Sequence, residues 1–113
     1  MSLSLLFNLF MVYVTQIIAV VVIKLGSLSP GMTKKILCFI VGNIASFVSM
    51  YFVVHVYGEL QQNANLAAAL ITGGAFVAGQ LGLWAVFRSR LSKVQTAGII
   101  LASAGLFMAA LVA

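Results

Sequence analysis

Formal charge is what this chain has least of. Six Lys and Arg residues and one acidic residue, Glu59, are its whole complement in 113 positions, or 6%. Soluble domains carry roughly 25% charged residues, so a water-covered surface cannot be built from this composition. Cysteine and histidine occur once each, as Cys38 and His55. That excludes an internal disulfide and leaves too few ligands for a protein-held zinc or iron–sulfur site, so no metal or cofactor is expected. Carboxylate pairs, nucleophile–base pairs and Gly-rich phosphate cradles are equally missing, and neither enzymatic activity nor nucleic-acid binding is expected.

What fills the chain instead is apolar: 64% of positions are hydrophobic and the mean hydropathy is +1.22. Intrinsic disorder requires few apolar residues and abundant charge, and is excluded. An integral membrane protein remains.

Lys24, Lys34, Lys35, Glu59, Arg88, Arg90 and Lys93 divide the chain into uncharged pieces at 1–23, 36–58, 60–87 and 94–113. About 20 mostly apolar residues cross a hydrocarbon core of roughly 30 Å, and each piece is long enough. The pieces predict four membrane-spanning helices over about 3–23, 36–57, 66–87 and 95–112. Membrane β-strands would be shorter and would alternate polar with apolar residues; Ile17 to Ile23 shows no such alternation. The connections read as short loops: one around Gly26, Pro30 and Gly31, one over Gly58–Asn65 and one over Arg88–Lys93. Short loops make successive helices antiparallel. The expected fold is an all-α, polytopic, four-transmembrane-helix up-and-down bundle forming a single domain, 1–113. Residues 1–23 lack a basic leading region and a small-residue cleavage motif, so they are read as the first helix and not as a signal peptide.

All six basic residues fall in or beside the first and third loops. Under the positive-inside rule those loops lie in the cytoplasm and both termini outside, in the cytoplasmic (inner) membrane of a cell. The same residues would attract anionic lipid head groups or a lipid-linked phosphate, which makes Lys24, Lys34, Lys35, Arg88, Arg90 and Lys93 candidates for holding one.

The deep polar groups of the predicted spans are neutral, and Gln16, Asn43, Ser46, Thr72 and Gln80 are the candidates among them. An amide donates and accepts hydrogen bonds but carries no exchangeable charge at neutral pH. Each is either an interhelical hydrogen bond or part of a polar substrate path. His55, near the outer end of the second helix, is the single residue type here that ordinarily titrates near neutrality. It reads as an interfacial polar residue or, alternatively, as a coupling site. Trp84, Tyr51, Tyr57 and Phe87 lie toward helix ends, where aromatic belts form. Gly73, Gly74, Gly79 and Gly82 permit close helix approach or bending in the third helix. Gly98, Ala102, Gly105 and Ala109 form one small-residue face of the fourth, a candidate dimer interface or, alternatively, an internal packing face.

Gln16 followed eight residues later by Lys24, then Ala45-Ser46-Phe47, Arg90-Leu91, and Gly98 with Gly105 occur in an order that resembles the small multidrug resistance family, four-helix members of the drug/metabolite transporter superfamily. The resemblance spans nearly the whole chain. It implies a dimer with a substrate chamber built from the first three helices of each subunit, alternating access, and dimer contacts through the fourth. The family's first-helix Glu is Gln16 here, and its aromatic positions fall on Asn43, Ala68 and Ile71. The implied chamber is therefore neutral and hydrogen-bonding, suited to a small polar metabolite or a lipid-linked head group. At fold level the chain is similar to aminoarabinose-phospholipid flippase subunits. The strong charge bias implies insertion in one direction, and so either a parallel homodimer or a heterodimer with a related subunit of opposite orientation. Two other expectations stand beside this one: a non-transporting accessory subunit, and a proton-coupled exporter using His55. The expected surroundings are the lipid bilayer and, with it, an anionic or polyprenyl-linked lipid.

Overall fold

A computed structural model describes residues 2–88 and 91–112. Four helices account for nearly all of them: α1 (Leu3–Leu28), α2 (Met32–Glu59), α3 (Ala64–Phe87) and α4 (Lys93–Val112). All four are long and apolar enough to cross a membrane, and no strand occurs among the described residues. The protein is an all-α four-helix bundle.

The helices outrun the expected spans. Lys24 to Leu28 stay helical in α1, and α2 begins at Met32, so Lys24, Lys34 and Lys35 ride on helix ends. Charge marks the edge of the hydrocarbon, but backbone hydrogen bonding continues past it. At 1.5 Å per residue α1 and α2 are about 40 Å long, roughly 10 Å more than the hydrocarbon core. Gly26, expected in the first loop, is inside α1, and Gly58 and Glu59 are inside α2.

Local chemistry sets the true ends. Pro30 disfavours helical backbone at the residue before it, and Ser29 is extended at φ −82°, ψ 133°. Ser2 Oγ caps α1 by accepting from the Leu5 N–H at 3.1 Å, and Asn63 Oδ1 caps α3 by accepting from the Leu66 N–H at 3.0 Å. Ser92 and Gln95 form a reciprocal capping box at the start of α4. The Ser92 N–H donates to Gln95 Oε1 at 2.8 Å, and the Gln95 N–H donates to Ser92 Oγ at 3.2 Å. Arg88 ends α3 in the left-handed conformation, φ 53°, with its guanidinium carbon 5.9 Å from the Trp84 ring centroid.

The bundle is a slab of 47 × 34 × 19 Å. Helix α1 packs against both α2 and α3, while α2 and α3 scarcely meet and the α4 backbone approaches only α3. Glycines let the neighbours of α1 come close. A Cβ on Gly26 would lie 2.7 Å from Cys38 Cβ, and one on Gly82 would lie 2.8 Å from Ile17 Cγ2. The core of Leu5, Leu9, Val56, Ala67 and Leu70, joined by Leu106, Ala109 and Ala110 of α4, sits at the end remote from the basic residues. Side chains such as Phe10, Ile44, Phe47 and Leu101 point outward, as lipid requires and water would not tolerate on this scale.

Candidate functional site

Because α2 and α3 splay apart over α1, a groove opens between them with one face of α1 as its floor. Gln16, Val20, Ile23, Lys24 and Ser27 recur at helical spacing on that face. Two adjoining cavities make up the groove, sharing Gln16, Val20 and Leu83. The first, about 420 Å³, is walled by Thr72, Phe76, Gly79 and Gln80 of α3. The second, about 350 Å³, extends past Ser46 of α2 to Lys24 and Ser27. From Gln16 to Ser27 it runs about 16 Å along α1.

Four of the five expected path residues, Gln16, Ser46, Thr72 and Gln80, therefore meet at one groove. Asn43 does not join them. It is exposed on α2, and its Nδ2 donates back one turn to the Phe39 carbonyl at 2.7 Å. The other four make no protein hydrogen bond among the described residues. Among the described residues they form no hydrogen bond between helices.

Of the basic residues, Lys24 lines the groove, whereas Lys34, Lys35, Arg88 and Lys93 are exposed at the same end of the bundle. Lys35 borders a further cavity of about 350 Å³ with Gly26, Cys38 and Phe39, which adjoins the groove through Ile23 and Ser27. Arg90 lies outside the described residues. Lys24 is the one charged side chain on the groove among the described residues. His55 stands elsewhere on α2, its Nδ1 2.9 Å from the Tyr51 carbonyl, an arrangement in which that nitrogen donates. No cluster of metal-ligating side chains occurs among the described residues.

On α4, Gly98 and Gly105 face open space, while Ala102 and Ala109 are partly covered and Ala109 packs against the core. The small-residue face is thus split. Its alanines lean toward the subunit and its glycines are uncovered.

Sequence reading overlooked Asn8, Thr15 and Ser49, which are buried. Thr15 Oγ1 donates to the Met11 carbonyl at 2.7 Å and approaches the Val12 carbonyl at 3.0 Å. Ser49 lies on the buried face of α2 with Gly42 and Val56, and Asn8 and Thr15 share the buried face of α1 with Leu5, Leu9, Val12 and Ala19. Small polar side chains mark packed faces in membrane helices, and their 3- and 4-residue spacing with that face was the available signal.

No family model, curated protein or solved structure matches this chain.

Proposed function

We propose that this protein is a transporter-type membrane subunit that passes a small polar metabolite or a lipid-linked head group along the α1–α2–α3 groove by alternating access. The observation that supports this most is the groove itself. Four uncommitted neutral polar groups lead from mid-membrane to Lys24. Amides and hydroxyls exchange hydrogen bonds with a neutral solute one for one, which lowers the cost of taking it out of water. Lys24, with the other basic residues at that end, attracts a phosphate or other anion to the mouth. In this reading the basic end is cytoplasmic and both termini are external, following the charge bias. The working unit is a dimer, either parallel or with a related subunit of opposite orientation. A proton-coupled exporter fits less well, because the groove carries no carboxylate and His55 does not line it.

A test uses vesicles reconstituted with the purified protein, measuring both efflux of neutral polyols and translocation of a fluorescent short-chain phospholipid. Gln16→Ala is expected to lower the initial rate about 3- to 30-fold, equivalent to the roughly 0.6–2 kcal/mol of a membrane hydrogen bond. An unchanged rate removes Gln16 from the path.

The bareness of α4, whose spanning residues are none of them buried, favours a second reading as an accessory subunit of a larger assembly. Under that reading Gln16→Cys is shielded from water-soluble thiol reagents; under the first it reacts.

A further inference from the structure

The groove covers only part of the length of α1. Gln16 is its deepest residue on α1, and Tyr13 stands one turn beyond. The Tyr13 hydroxyl donates to the Leu70 carbonyl of α3 at 2.7 Å. Its ring occupies the space that a side chain on Gly74 would need. Leu70 and Gly74 are both buried, so the ring is seated on the packed part of α3 and not on a mobile edge. Behind it lies a different cavity of about 290 Å³, almost wholly apolar, lined by Tyr13 with Leu9, Phe10, Leu70 and Leu106. Tyr13 borders this cleft and not the groove; Gln16 borders the groove and not the cleft.

We infer that Tyr13 is the barrier that closes the groove at the end remote from Lys24, so that the contents of the groove exchange with one side of the membrane only. Its role in transport rests on the reading above, but the barrier is a property of the packing alone. Two features suit the residue to the task. Tyr13 is half-buried with its hydroxyl end against α3, where a tyrosine hydroxyl takes a partner and a helical carbonyl keeps a second lone pair for one. The bond can therefore form or break while the α3 backbone ladder stays intact. The ring fills the seat that Gly74 leaves open, and with no side chain on Gly74 it can withdraw from that seat.

The test is one of sidedness, read by labelling and independent of flux. In a Cys38→Ser background, Thr72→Cys places a thiol in the groove, and a membrane-impermeant maleimide is applied separately to each face of oriented vesicles. The parent is expected to label from the face bearing Lys24 alone. Tyr13→Ala is expected to label from both faces, with at least a 10-fold rise in rate from the opposite one, while Tyr13→Phe, which keeps the ring, stays one-sided. Labelling of the parent from both faces or from neither overturns the proposal, as does one-sided labelling of Tyr13→Ala. Should the alanine variant fail to accumulate in the membrane, Gly74→Ala, which pushes the ring from its seat, carries the same test: two-sided labelling supports the barrier and one-sided labelling overturns it. A vesicle preparation with no flux but with these labelling patterns would refute the transport reading and leave the barrier standing.

Discussion

Glycine does opposite things in the two halves of this bundle. Around α1 it marks contact: Gly26 meets Cys38, Gly42 meets Ile23, Gly74 meets Tyr13 and Gly82 meets Ile17, each too closely for a Cβ. On α4, Gly98 and Gly105 meet nothing within 4 Å. In lipid no hydrophobic drive brings helices together, so close backbone approach and the dispersion it allows carry much of the association. The α1–α2–α3 unit has used Gly26, Gly42, Gly74 and Gly82 in this way, whereas its Gly58 and Gly73 meet nothing within 4 Å. Helix α4 has not, and its two glycines stay uncovered.

Substitution at these glycines tests the contrast directly. The largest effect is expected for Gly74→Leu, whose side chain would have to displace the Tyr13 ring and its hydrogen bond. A loss of about 3 kcal/mol or more, at the upper end of overpacking costs, should appear as failed accumulation or as a large drop in resistance to unfolding by detergent. Gly26→Ala comes next. Cys38 Cβ is anchored to the α2 backbone and cannot swing aside, so α1 and α2 must separate, at about 1–2 kcal/mol in the same unfolding measurement. The smallest effect belongs to the double variant Gly98→Ala, Gly105→Ala, which should change the stability of the single chain by less than about 0.5 kcal/mol. If α4 forms a seam between subunits, the same variant should nevertheless reduce the cross-linked dimer in membranes. An undiminished dimer would place the seam on another helix.

Composition and charge placement made the architecture legible, for a physical reason: a bilayer admits only helices or closed barrels, and the length of apolar sequence between charges chooses between them. The ends of the helices were harder to read. Lys24, Lys34 and Lys35 looked like loop residues because charge leaves the hydrocarbon, yet a helix can carry charge through the head-group layer. The candidate path was legible as chemistry, since neutral polar residues are conspicuous in apolar spans. Its membership was not. Gln16 and Asn43 looked equivalent in sequence, but they differ in which way they face, Gln16 into the groove and Asn43 back along its own helix.

The sequence alone therefore determined that the chain is four apolar helices with neutral interiors and a single basic end, because these properties follow from residue type and spacing. Tertiary structure decided which helix lies at the centre, which polar side chains share a groove and which tyrosine stands at its end. Those outcomes depend on the rotation of each helix about its axis, and that rotation is set by where glycines let another helix in.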